Sequence, residues 1–209
     1  MKAAIGAILT GDIVNSTKLE EFVEKQLLAV LKEILSPYTF EFYRGDSFQV
    51  YVEDVSLSLR TAMLCRTAAI SLQQDEQFPD IRISIGIGEV TQPIVPLGSA
   101  KGEAFILSGR SFDDIQKTNT RLAISSNHEW GKLSYELVAA YANSIFGEIT
   151  PKQAEVIFHL LQGETQQKIS ERLNKSKSTI SQFASSGKWN DIEYLLEAFN
   201  KITEKLSTP

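Results

Sequence analysis

The patterns typical of β-strands all lie before residue 126 of this 209-residue chain, and only helical patterns follow. The clearest strand is 81–88, where isoleucines alternate with smaller or polar residues at a period of two. After Pro151, apolar residues recur three and four positions apart, which is the spacing of amphipathic helices. This order predicts an α+β domain over residues 1–147 and an all-α module over residues 148–209.

Within the first region the patterns predict the order strand, helix, hairpin, helix, strand, helix, strand. The apolar run 3–9 predicts a buried strand that ends in a loop at Asp12, and Thr17 with Glu20 has the spacing of a capping box. A Gly-Asp pair at 45–46 separates two β-type runs, which predicts a tight hairpin turn. The predicted ranges are 19–34, 55–72, 103–117 and 130–145 for the helices, and 3–9, 38–44, 47–52, 81–88 and 122–125 for the strands.

Composition excludes several classes of protein. Apolar residues make up 43% of the chain and charged residues 22%, which is typical of globular domains and excludes a disordered chain. No apolar run approaches the roughly 18 residues that span a bilayer, and residues 1–9 lack a signal-peptide cleavage site, so we expect a cytoplasmic protein with no membrane partner. The single cysteine, Cys65, lies in a helical pattern, which predicts a core position.

Gly86 and Gly88 leave one face of their strand bare, which suits a closely packed helix or an approaching ligand.

Charge is divided unequally between the two regions. Residues 1–149 carry a net charge of −6 and residues 150–209 a net charge of +1. The stretch 166–188 contains five basic residues and one acidic residue. A compact positive patch on a chain of net charge −5 predicts a local site for a polyanion and argues against general coating of nucleic acid, although a solvated helix face has a similar composition.

Two aspartates are candidates for a metal site. Asp12 follows the first strand and Asp46 lies in the hairpin turn, so both reach one end of the sheet if the hairpin pairs beside that strand. Two such carboxylates can share a hard cation such as Mg²⁺, with phosphate oxygens as further ligands. The alternative is that Asp12 caps a helix and Asp46 is an ordinary turn residue. The backbone amides after Gly11 and the Arg44 side chain are candidates for phosphate contacts.

Four segments carry a resemblance to a known family, namely GDIVNST (11–17), GDSFQ (45–49), SIGIG (84–88) and GEAFILSGRSFD (102–113). In this order and spacing they resemble class III nucleotidyl cyclase domains, and more closely the SatD-like group, in which such a domain is fused to a C-terminal helix-turn-helix. The resemblance implies a ferredoxin-like or nucleotidyl cyclase-like sheet with packed helices. It also implies that Asp12 and Asp46 bind Mg²⁺ or Mn²⁺ with a nucleotide, that the Ile13 carbonyl is a further ligand, and that the chain forms a homodimer.

The chain departs from the cyclase pattern at two positions that matter for catalysis. The family's base-selecting Lys falls on Phe42, and its Asn that stabilises the transition state falls on Ile106. Arg110 is a candidate for the family's catalytic Arg, with an ordinary surface or ion-pair role as the alternative. Losing one preorganised donor costs about 10²- to 10³-fold in rate, so we expect an impaired enzyme.

The segment 165–181 resembles a helix-turn-helix. Asn174 can adopt the left-handed conformation of the turn, Ser176 can cap the second helix, and Ile180 can pack back on the first helix. The exposed face of the second helix is then able to reach phosphates and base edges. The candidate DNA-binding residues are Lys175, Lys177, Ser178, Thr179, Ser181, Gln182 and Lys188. The alternative is a helical hairpin used for dimerisation.

These patterns together favour a DNA-binding transcriptional regulator whose N-terminal domain dimerises and senses a nucleotide or a metal. Two alternatives stay open. The first is an active, divergent class III nucleotidyl cyclase that uses Asp12 and Asp46. The second is a non-enzymatic interaction scaffold, for which we expect neither DNA binding nor a cofactor.

Overall fold

A computed structural model describes residues 3–73 and 76–207 of the chain, and its centre is a five-stranded sheet. The strands are β1 (Ala3–Val14), β2 (Thr39–Tyr43), β3 (Ser47–Val52), β4 (Asp80–Thr91) and β5 (Leu122–Ser126). Their order across the sheet is β2-β3-β1-β4-β5. Neighbouring strands are antiparallel except for β4 and β5, which are parallel.

Eight α-helices complete the described part of the chain. They are α1 (Glu21–Leu35), α2 (Ser58–Ser71), α3 (Glu103–Gln116), α4 (Glu129–Phe146), α5 (Pro151–Leu161), α6 (Gln166–Arg172), α7 (Lys177–Ser186) and α8 (Trp189–Ser207). The predicted α+β class is therefore confirmed, with strands confined to the first part of the chain. Among the described helices, none has both the length and the apolar character that crossing a membrane requires.

One face of the sheet is apolar because the strand period of two places isoleucine, leucine, valine and phenylalanine on it. The main core on this face includes Leu9 of β1 and Ile83 of β4, packed with Leu27 of α1. The same core continues into α5 and α8, where Ile157 and Phe199 are fully buried. Helices on both sides of the predicted boundary at 147–148 thus share one core, and the boundary itself stays a prediction.

The opposite face is covered by α3, which lies directly on β4. An added Cβ at Gly86 would collide with backbone atoms of Ala104 and Ser108 on α3, so only glycine permits this approach. Ser84, Ser108 and Thr10 form a chain of hydroxyl contacts beneath the helix. Of the two explanations for the bare strand face, the closely packed helix is the one that the structure contains.

The structure corrects two local predictions near Asp12. β1 continues to Val14 instead of ending before Asp12, because residues 10–12 pair with both β3 and β4. The capping box at Thr17 and Glu20 is also wrong, since α1 begins one residue after Glu20 and no side chain caps it. Asn15, with a positive φ of 61°, turns the chain out of the strand into a short 3₁₀ segment. Thr17 lies within that segment and is therefore too early in the chain to cap α1.

Three of the C-terminal helices, α5, α6 and α7, begin directly after a capping side chain. Thr150 and Gln153 form a capping box for α5, and the Ser176 hydroxyl accepts a hydrogen bond from the Thr179 amide at the start of α7. Asn174 has a φ of 49°, so the left-handed turn expected there is present. Ile180 is fully buried and packs in a small core with residues of α5 and α6.

Candidate functional site

The two candidate aspartates lie next to each other at one end of the sheet, Asp12 on β1 and Asp46 in the turn that leads into β3. Asp12 pairs across the sheet with Ser47, the residue after Asp46, and the Ile13 amide donates to the Asp46 carbonyl oxygen at 3.0 Å. The hairpin does flank the first strand, as the sequence argument required. Burial is the main cause of the raised pKa of Asp12, and repulsion from the Asp46 carboxylate adds to it.

Arg82 on β4 forms an ion pair with Asp12 from the other side. Its Nη1 lies 3.0 Å from the Asp12 Oδ2, and the two side chains are only 15% and 16% exposed. Burial is the main cause that raises the pKa of Asp12, while Arg82 and a hydrogen bond with Gln116 oppose it. The buried Nε of Arg82 has no hydrogen-bond partner among the described residues, so one donor at this site is unsatisfied.

Asp46 is held by hydroxyl groups. Its carboxylate accepts a hydrogen bond from Ser16 at 2.7 Å and one from Ser47 at 3.2 Å. Arg44 and Gly45 both have positive φ angles, so they form a tight turn. The backbone at the Gly-Asp pair is therefore that of an ordinary hairpin turn. The Arg44 side chain is exposed, and its phosphate contact stays a prediction.

Further charges extend this edge of the sheet, which we call the aspartate edge (Asp12, Asp46, Asp80, Arg66, Arg82 and Arg121). Asp80 accepts two hydrogen bonds from Arg66, at 2.9 and 3.1 Å, and lies 3.6 Å from Arg121. Arg66 is 3% exposed and its guanidinium lies over the ring of Phe146. Three acidic and three basic groups alternate here, so the edge is close to neutral.

This arrangement fits a divalent cation only if Arg82 releases Asp12. Mg²⁺ requires an octahedral set of oxygen ligands with available carboxylate charge, and the guanidinium of Arg82 already neutralises Asp12. Within residues 3–73 and 76–207, no cluster of three or more His, Cys, Asp or Glu side chains could hold a metal ion. The Ile13 amide and Gly11 are part of the strand pairing, so the expected loop of free amides before a helix is absent at these residues.

The other cyclase-related positions have different environments. Phe42 packs against Phe40 and Phe48 on the apolar face of the sheet. Ile106 and Arg110 lie one turn apart on α3, and both are exposed. A catalytic role for Arg110 stays a prediction.

Arg82 is not among the residues that the sequence predicted for this site, although a signal for it is present. Arg82 is the only charged residue in the strand pattern 81–88, and a charge on the glycine-bearing face of a strand requires a partner when a helix covers that face. The partner depended on the β1–β4 register, in which Asp12 stands opposite Arg82.

The second candidate site is the exposed side of α7, which we call the α7 surface (Lys177, Ser178, Ser181 and Gln182). All four residues are exposed, as predicted, whereas Ile180 and Ala184 on the other side of the helix are buried. Lys188 is exposed, and Lys175 and Thr179 are half-buried. Arg172 is not available as a free cation because it pairs with Glu164 at 3.1 Å. DNA contact by these residues stays a prediction.

A separate cavity of about 690 Å³ lies between α3, β5 and α4. Ser125 and Glu136 are among the residues that line it, whereas Asp12 and Asp46 are not. The cavity is therefore not part of the aspartate edge.

No family model and no curated protein matches the chain. Among solved structures, the chain is similar to a bacterial light-regulated adenylyl cyclase, with 14% identity, a TM-score of 0.45 and coverage of 60% of this chain and 77% of that chain. It is similar to the active GGEEF domain of a diguanylate cyclase from Vibrio cholerae, with 12% identity, a TM-score of 0.42 and coverage of 60% and 85%. It is also similar to the guanylyl cyclase Cya2, with 17% identity, a TM-score of 0.40 and coverage of 59% and 76%. The α+β class follows from the strand order and helix packing of the chain itself.

Proposed function

We propose that this chain is a DNA-binding transcriptional regulator of the SatD-like type, in which α6, the turn and α7 form a helix-turn-helix. The observation that carries the proposal is the α7 surface, where Lys177 and three hydrogen-bonding side chains face solvent from a helix anchored by Ile180. Such a surface suits phosphates and base edges in a DNA groove.

The local electrostatics support the same function. Glu164 pairs with Arg172 and His159, which leaves Lys168, Lys177 and Lys188 as the exposed cations of the stretch 166–188. The Ser176 cap uses one amide of the first turn of α7, and the positive end of the helix dipole adds to the attraction for phosphate.

The proposal assigns the N-terminal domain to dimerisation and to sensing of a nucleotide with Mg²⁺ or Mn²⁺, with little catalytic activity. The nearness of Asp12 and Asp46 supports the metal role. The neutralisation of Asp12 by Arg82 and the apolar side chain of Ile106 both disfavour cyclisation.

The DNA-binding role is tested with a fluorescein-labelled pool of random 30-base-pair duplexes, titrated at several salt concentrations. For the wild type we expect the logarithm of the binding constant to fall with the logarithm of the salt concentration, with a slope of about −0.9 per phosphate contact. Lys177→Ala should make this slope less steep by about 0.9, the value for one phosphate contact. Lys201→Ala, an exposed lysine on α8, is the matched control and leaves the slope unchanged. Absence of salt-dependent binding by the wild type would refute the role.

The sensing role is tested by thermal shift with ATP or GTP, each with and without Mg²⁺ or Mn²⁺. A ligand that binds the native state raises its melting temperature. We expect a metal-dependent shift that Asp46→Ala removes and that Arg82→Gln enlarges, because the Asp12 carboxylate is then free. Each shift is measured from the variant's own melting temperature without ligand. A flat response from both the wild type and Arg82→Gln contradicts the sensing role.

The adjacency of Asp12 and Asp46 favours one second candidate, an active nucleotidyl cyclase. That enzyme would release pyrophosphate from a nucleoside triphosphate only with metal present, and Asp12→Ala would abolish the release. The regulator predicts no release from the wild type. A scaffold without either function gives no DNA retention, no thermal shift and no pyrophosphate.

A further inference from the structure

Helix α4 carries large apolar side chains on its solvent side. Trp130 is 75% exposed, Leu133 58%, Leu137 64% and Tyr141 44%. These four residues, which we call the α4 seam, are spaced by three, four and four positions and therefore form one stripe.

The opposite side of α4 is also apolar. Tyr135, Val138 and Ala142 are buried in the main core, and Tyr135 packs against Phe199 of α8. A helix that is apolar on both sides is normally buried on both sides. Packing within one chain buries only the inner side of α4.

The apolar surface continues from α4 onto α8. The Tyr141 side chain is hydrogen-bonded with Asp191, near the start of α8. Tyr194 lies three positions further along α8, on the same side as Asp191, and is 67% exposed. Tyr194 therefore lies near the Tyr141 end of the α4 seam, and we count it with the same patch.

The size of this patch fits a protein interface. A large side chain contributes roughly 150–250 Å² when fully exposed, so five side chains at these exposures present on the order of 600 Å². The largest patch of an ordinary monomer covers about 300–600 Å², and a stable interface buries about 800 Å² per partner. With the flanking polar side chains, the patch reaches the size that a dimer of this chain requires.

We propose that the α4 seam is the homodimer interface, in which the α4 helices of two copies pack antiparallel about a two-fold axis. Antiparallel packing centred between Leu133 and Leu137 sets Leu133 of one copy against Leu137 of the partner subunit, twice per dimer. Parallel packing instead sets each of these leucines against the same residue of the partner subunit. This inference rests on the homodimer of the proposed function and identifies the surface through which that homodimer forms.

The first test is the mass of the protein in solution, measured by sedimentation equilibrium between 1 and 100 µM. The wild type is expected at twice the chain mass of 23.3 kDa. Leu137→Glu places two carboxylates in the interface and should weaken dimerisation at least about 100-fold. Phe22→Glu replaces an equally exposed apolar residue on α1 and is the matched control, which stays dimeric.

Circular dichroism checks that both glutamate variants fold, which we expect because both positions face solvent. A wild type that is monomeric at 100 µM overturns the proposal. So does a folded Leu137→Glu variant that remains dimeric with unchanged affinity.

The second test reads the direction of the helices by disulfide trapping. Cys65 is fully buried, so an introduced seam cysteine is the accessible thiol. In antiparallel packing Leu133→Cys faces Leu137→Cys of the partner subunit, so a mixture of the two variants gives a covalent dimer and each variant alone gives little. Efficient trapping of each variant with itself, and no covalent dimer between the two variants in the mixture, would overturn the antiparallel arrangement.

These readouts are independent of DNA and nucleotide. If the protein binds no DNA but Leu137→Glu still converts a dimer to a monomer, the proposed function fails and the interface stands. If the wild type binds DNA as a monomer, the interface fails and DNA binding stands.

Discussion

The aspartate edge and the α7 surface both contain several charged or polar residues. At the aspartate edge most of the charged groups are paired with each other, whereas on the α7 surface they face solvent. At the aspartate edge, Arg66 and Arg82 are largely buried, and each faces a carboxylate within 3.0 Å. On the α7 surface, Lys177 and its neighbours are exposed, and the salt bridges among the described residues do not include them. The first region uses its charges in ion pairs within the fold, and the second leaves them exposed to solvent.

This difference determines how substitutions in the two regions should act. A buried charge that loses its partner keeps its desolvation penalty, which destabilises the folded state strongly. An exposed charge loses little when it is removed, because water and salt already screen it. Variants of the aspartate edge should therefore change stability first, and variants of the α7 surface should change binding first.

The largest effect is expected from Arg66→Ala. The substitution removes two hydrogen bonds to Asp80 and the contact with Phe146, and leaves Asp80 with Arg121 at 3.6 Å. We expect the free energy of unfolding to fall by about 3–5 kcal/mol. Urea denaturation measures the loss, with Arg60→Ala, an exposed arginine of the same helix, as the control. Equal and small effects of both variants would break the comparison.

A smaller, pH-dependent effect is expected at Cys65, which neighbours Arg66 on α2. Burial raises the pKa of the Cys65 thiol to about 12. The unfolded thiol ionises near pH 8.5, so between pH 8 and 10 the unfolded state loses a proton that the folded state keeps. Stability therefore falls as pH rises, by about 1–2 kcal/mol from this group over that range.

The measurement compares urea denaturation of the wild type and Cys65→Ala at pH 8 and pH 10. The part of the pH dependence that disappears in Cys65→Ala belongs to the thiol. The wild-type thiol should also resist a thiol-specific reagent until the protein unfolds. Rapid labelling of the native protein would place Cys65 at an accessible site and contradict its core position.

The fold could be predicted from sequence where one physical signal dominated. The period of two in 81–88 correctly predicted β4, because side-chain alternation is a local property. The turn residues at 45–46 correctly predicted the hairpin, because left-handed turn geometry is local as well. The capping box at Thr17 and Glu20 failed because pairing on both sides extended β1 into this stretch. Tertiary pairing outweighed a local preference there.

The candidate site was predictable only in part. The approach of Asp12 and Asp46 follows from the hairpin lying beside β1, which chain order alone suggests. The ion pair between Asp12 and Arg82 joins residues 70 positions apart and depends on the register of β1 against β4, which a single sequence does not specify. The charge that the aspartate edge presents depends on that pair.

The smallest effect on stability is expected from Ser176→Ala at the start of α7. The Ser176 hydroxyl accepts a hydrogen bond from the Thr179 amide at 3.1 Å, and its loss should lower the free energy of unfolding by about 1 kcal/mol. Ser176→Asn retains a capping oxygen and should restore most of that stability. Because the cap also fixes the start of the helix that carries Lys177, Ser176→Ala should weaken DNA retention more than its stability loss suggests, and Ser176→Asn should not. Equal DNA retention by both variants would show that the α7 surface does not depend on its cap.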